Sequence, residues 1–80
     1  MASLFPNPAA NAAVLTLAAP ARPGTRLVLR EALGRRLWQA PVPAGQTEAA
    51  VPLAGRPAGL YLLQVEQPQA ATVTLRLNKE

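Results

Sequence analysis

The sequence predicts a small all-β sandwich, on three observations. Nine prolines, at 6, 8, 20, 23, 41, 43, 52, 57 and 68, cut the chain into short lengths. The apolar runs between them are separated by turn signals every ~8–12 residues, the spacing of strands folded back and forth. Three of those runs alternate with period two, so that one face is apolar and the other mixed or polar, as a half-buried strand requires.

The chain begins with "LFPNPAAN" at residues 4–11. Each proline removes a backbone donor, fixes φ and pushes the residue before it toward extended geometry. Phe5 and Asn7 are therefore expected to be extended, with Phe5 sealing one end of the core. The strand candidates follow in order: "AAVLTLAA" (12–19), "TRLVLREA" (25–32), "RLWQ" (36–39), "TEAAVPL" (47–53), "GLYLLQVE" (59–66) and "ATVTLRLN" (71–78). Alternation sets Thr25, Leu27 and Leu29 against Arg26, Val28 and Arg30. It sets Tyr61, Leu63 and Val65 against Leu62, Gln64 and Glu66, and Val73, Leu75 and Leu77 against Thr72, Thr74 and Arg76. Pro52 interrupts its run, which places that run on a sheet edge where a proline is tolerated.

One stretch has two readings. Residues 26–40 also fit a helix, with Leu29, Leu33 and Leu37 at i, i+4, i+8 and Glu31–Arg35 as an i,i+4 pair. Seventeen alanines favour helix in general. Gly34 opposes it, because glycine costs about 1 kcal/mol in a helix interior. The same glycine suits the turn of a hairpin between Leu29 and Leu37. Periodicity leaves the two even.

Eighty residues make one domain. A chain of this length buries only about 60% of its unfolded surface. With no cysteine, neither a disulfide nor a thiolate metal site can add stability. Proline contributes some, by restricting the unfolded chain. The formal charge is +4, from eight Lys or Arg against four Glu. That balance permits acidic partners such as nucleic acid or lipopolysaccharide. The joint abundance of Ala, Arg, Pro, Gly and Leu also fits a GC-rich genome. No apolar run approaches the ~18 residues of a membrane span. "MASLFPNP" has no basic region followed by an apolar stretch, so no signal peptide is expected. The chain then reads as cytosolic or as a domain of something longer.

Catalysis is not expected. The chain lacks His, Cys and Asp. Glu31, Glu48, Glu66 and Glu80 form no pair at catalytic spacing. Ser3, the single serine, has no histidine to activate it. Zinc lacks its usual ligands, and four glutamates make a poor calcium cage. The glycines form no phosphate-cradling motif. No cofactor, metal or small-molecule substrate is therefore expected. Arg22, Arg26, Arg30, Arg35 and Arg36 make a basic stretch, but only Phe5, Trp38 and Tyr61 could stack on bases. A solvated face or a charge-protected edge explains it without nucleic acid.

Several segments in fixed order, "FPNPAAN", "LVLREALGRRLW", "LAGRPAGLYLLQVE" and a final strand ending "LRLNKE", resemble the C-terminal sorting domain of Bacteroidetes type IX secretion substrates (the Por secretion system, type A). That family shows a "YPNP"-like start, a strand followed by "D-x-x-G-[KR]", an "L-P-x-G-x-Y" segment and a last strand with basic residues. Pro6, Asn7 and Pro8 match the first motif. Glu31, Gly34 and Arg35 match the second, with Glu in place of Asp, and Pro57, Gly59 and Tyr61 match the third. Arg76 and Lys79 fall where the terminal basic residues lie. Arg56 departs from the pattern, standing where the family prefers Leu.

The resemblance implies a compact immunoglobulin-like antiparallel β-sandwich of about six to seven short strands. It therefore favours the hairpin turning near Gly34. It implies residues 1–80 as a single C-terminal sorting domain, with Met1–Leu4 a start or linker remnant and a cargo protein on the N-terminal side. It further implies folding in the periplasm and recognition by the type IX translocon at the outer membrane. Removal by a sortase-like peptidase and attachment of the cargo at the cell surface, or its secretion, follow. Strand addition at an exposed edge suits such recognition. Arg76, Lys79 and Glu80 on the last strand are the candidate contact residues. The competing expectation is an accessory immunoglobulin-like sandwich that binds carbohydrate or protein in adhesion, for which Trp38 is the obvious aromatic.

Overall fold

A computed structural model describes residues 2–80. Among them are seven strands and no helix: β1 (Ala2–Phe5), β2 (Ala12–Leu17), β3 (Arg26–Glu31), β4 (Arg36–Pro41), β5 (Glu48–Pro52), β6 (Gly59–Glu66) and β7 (Val73–Lys79). They form two antiparallel sheets, β1-β2-β5 and β4-β3-β6-β7, packed face to face. The chain changes sheet after β2, after β4 and again after β5, the strand distribution of an immunoglobulin-like sandwich.

The core lies between the sheets. Ala13, Leu15 and Leu17 from β2 and Val51 and Leu53 from the β5 region meet Leu27, Leu29, Tyr61, Leu63, Val65 and Leu77. Trp38 and Leu37 pack against this cluster half-buried. Alternation held on β6, where Tyr61, Leu63 and Val65 point inward. On β3 it was incomplete. Val28 lies outside the core cluster yet is fully buried, because Gln39 and Gln64 flank it in register on the neighbouring strands. On β7 the apolar face is covered progressively, from Val73 at 45% exposure through half-buried Leu75 to Leu77 at 0%.

Residues 26–40 form a hairpin, not a helix. Gly34 N–H donates to the Glu31 carbonyl at 2.9 Å, and Glu31 N–H donates to the Arg35 carbonyl at 3.0 Å. Gly34 has φ of +101°, the left-handed conformation that lets a three-residue loop close on a bulge. The Glu31–Arg35 pair seen as a helical i,i+4 contact spans the neck of this hairpin instead, at 3.1 Å. Pro52 and Pro41 each end an edge strand, β5 and β4 respectively.

Two expectations for the start of the chain are revised. Ala2–Phe5 pairs with β2 as a strand rather than lying outside the sandwich; Met1 falls outside the described residues. Phe5 does not seal the core. It is 77% exposed on the outer face of the three-stranded sheet, opposite Val14. The register explains this. Ala2 and Leu4 take the inward positions on β1, and alternation then turns Phe5 out.

Candidate functional site

The residues singled out from four separate stretches of sequence meet at one end of the sandwich. That end is built by the β1–β2 connection (6–11), the β3–β4 turn (32–35), the β5–β6 loop (53–58) and the C-terminus. The opposite end is built by the three remaining connections, 18–25, 42–47 and 67–72.

Half of this end is a cup shared by two motifs. Glu31 and Tyr61 are direct partners in the β3–β6 register, so the "E-x-x-G-R" hairpin and the "P-x-G-x-Y" segment sit side by side. Glu31, Arg35, Arg56, Pro57, Gly59 and Tyr61 line a cavity of about 330 Å³. Tyr61 is 5% exposed, and its hydroxyl donates to the carbonyl of Pro57, four residues upstream. A tyrosine pinning the corner before its own strand in this way is a recurrent device of such sandwiches. Gly59 has φ of +145° with open space around it, so backbone conformation rather than room selects glycine.

Arg56, the departure from the motif noted above, has a task here. Leu37 is the extra residue of a bulge, since Leu29 pairs with Trp38 but Arg30 pairs with Arg36. The Arg56 guanidinium donates to the Leu37 carbonyl at 3.3 Å, tying the β5–β6 loop to β4.

The other half is a clasp between the two ends of the chain. The side chain of Asn7 donates through Nδ2 to the Arg76 carbonyl at 2.8 Å and accepts at Oδ1 from the Asn78 N–H at 3.0 Å. A carboxamide carries one donor and one acceptor side by side, as a peptide unit does, so Asn7 takes the place of a neighbouring strand. Ala9 continues the pairing. Its N–H donates to the Asn78 carbonyl, and its carbonyl accepts from Glu80 N–H, each at 2.8 Å. Pro6 and Pro8, both preceded by cis peptide bonds, are exposed and lack amide hydrogens that would compete.

The clasp covers only the C-terminal half of the β7 edge. Positions 76, 78 and 80 turn backbone groups away from β6, so by alternation those of Thr74 do too. By the same alternation the N–H and C=O of Thr74 and the N–H of Arg76 face outward, and the bonds of Asn7 and Ala9 go to the Arg76 carbonyl, Asn78 and Glu80 instead. A groove of about 190 Å³ lies beside this stretch, lined by Ala2, Leu17, Pro20, Val65 and Val73 among others.

Arg76, Lys79 and Glu80 thus sit together at the clasp, and Gly59 pairs with Lys79 to join it to the cup. Sequence reasoning missed Ala9, fully buried and central to the clasp, because one alanine among seventeen carries no signal. Asn78 was likewise passed over, since its part is played by backbone.

No curated protein matches the chain. The family model for the secretion system C-terminal sorting domain matches residues 3–79, which takes in the clasp residues Asn7, Arg76 and Asn78 and the whole cup. The chain therefore belongs to the type IX secretion C-terminal sorting domain family, whose members are sorting signals for export through that system.

Proposed function

We propose that residues 1–80 form a non-enzymatic sorting domain carried at the C-terminus of a larger cargo protein and read as a folded surface by the type IX translocon. A sortase-like peptidase then removes it, and the cargo is attached at the cell surface or released. The observation that carries this reading is the gathering of Asn7, Glu31, Gly34, Arg35, Pro57, Gly59 and Tyr61 at one end with the C-terminus. Alternating strand direction brings the first, third and fifth connections and the C-terminus to one end, and the motif residues fall at that end and not at the opposite one. A recognition surface needs them together.

Arg76, Lys79 and Glu80 are the proposed contact residues, and strand addition on β7 is the proposed mode of recognition. Backbone pairing supplies affinity in such complexes, while alternate side chains tune it. The open stretch around Thr74 is the place for it, with the groove beside Val73 available to an apolar side chain. The adhesion reading has less support: Trp38 is half-buried against the core, and Phe5 alone makes no aromatic platform.

A bulky tag appended after Glu80 tests the surface. Export of the tagged cargo is expected to fail while the domain stays folded. Unimpaired export would remove the C-terminal end from the recognition surface.

A further inference from the structure

The outer face of the four-stranded sheet carries charge that the chain itself does not neutralise. One row across β4, β3, β6 and β7 reads Arg36, Arg30, Leu62, Arg76 in register. With strands about 4.8 Å apart, its outermost arginines are based roughly 14 Å from each other. Like charges directly opposed across strands are destabilising. A nearby carboxylate would relieve this, but the two ion pairs among the described residues are Arg26–Glu66 and Arg35–Glu31. The row is steadied by neutral partners instead. Arg30 donates through Nε to Gln64 Oε1 at 2.8 Å and through Nη1 to the Gly34 carbonyl at 2.9 Å, and Arg36 donates to Gln39 Oε1 at 3.1 Å. These bonds orient the guanidiniums and leave both their charge and further N–H donors available.

Neither of the two cavities described above is lined by Arg30, Arg36, Leu62 or Arg76. The opposite outer face differs in kind: Phe5, Ala12, Val14, Ala50 and Pro52 stand on it with the neutral pair Ser3 and Thr16, and Glu48 is its charged residue. The molecule is therefore polarised, basic on one side and mostly apolar on the other. A flat row of unneutralised guanidiniums around a half-buried leucine suits a plane of phosphates, because Arg recognises phosphate bidentately and a plane needs no groove.

We propose that the Arg36–Arg30–Arg76 row docks this domain on an anionic lipid surface, with the guanidiniums on lipid phosphates. The proposal does not rest on the sorting reading, although the row reaches the recognition surface at Arg76.

The test is flotation of the purified domain with vesicles of phosphatidylcholine alone and of phosphatidylcholine mixed with phosphatidylglycerol. Binding is expected on the anionic vesicles only, weakening as salt is raised. Arg30→Gln, Arg36→Gln and Arg76→Gln together should lower partitioning roughly 100-fold, at the usual contribution of a basic residue near an anionic surface. Arg22→Gln, Arg56→Gln and Lys79→Gln remove the same charge elsewhere and should lower it far less. Arg36→Gln with Arg76→Gln, both at exposed positions, serves if the first triple variant does not fold. No binding to anionic vesicles, or equal loss in both triples, would overturn the proposal. Row-dependent retention on immobilised polyglutamate at least as strong as on the vesicles would overturn it in favour of an acidic protein.

Discussion

Asn7 carries two hydrogen bonds to strand backbone across 69 and 71 residues of chain. Exposed bonds of this kind contribute about 0.5–1.5 kcal/mol each, because water can replace them. Asn7→Ala should therefore lower stability by about 1–2 kcal/mol, seen as a fall in Tm of roughly 5–15 °C for a domain this small. Amide exchange at Asn78 should quicken in the same variant. An unchanged Tm with unchanged exchange at Asn78 would mean that the clasp adds nothing. Flanking prolines were legible in the sequence as extended punctuation; the role of the asparagine between them was not. Its partners are backbone groups at the far end of the chain, and backbone leaves no residue signature. The same limit applied to Phe5. A large apolar residue beside a proline reads as an anchor, but one position of strand register decided that it faces water.

At the scale of elements, β7 is the strand whose edge is divided: clasped from the Arg76 carbonyl to Glu80, open around Thr74. Proline at an outward-facing position removes only an amide that no internal partner uses. Thr74→Pro should leave the domain folded, with Tm little changed, and should block export if recognition proceeds by strand addition there. Normal export of a folded Thr74→Pro variant would exclude that mode. Strands β2, β5, β6 and β7 were legible from prolines and alternation, whereas β3 and β4 competed with a helix until the resemblance favoured the hairpin. Strand β1 was not, since four residues ahead of a proline pair give no period. The 26–40 ambiguity was physical as well. Spacing of four residues brings Glu31 and Arg35 together on a helix and equally across a three-residue hairpin loop, and only the positive φ of Gly34 separates the two. The cup was legible as two motifs. Their adjacency came from the pairing of β3 with β6, which no local pattern encodes.

As a whole the molecule is a sandwich with a radius of gyration of 11.8 Å, close to the roughly 12 Å expected of a folded chain of this length. It has one end rich in family motifs, one basic face and one mostly apolar face. That distribution suits a domain read from outside. If the folded surface is itself the signal, the domain alone is sufficient for export. Fusing residues 1–80 through a flexible linker to the C-terminus of a periplasm-targeted fluorescent protein tests it most directly, in a bacterium with a working type IX system and in a strain lacking that system. Fluorescence is expected outside the outer membrane in the competent strain alone. A folded fusion held in the periplasm of both strains would contradict it.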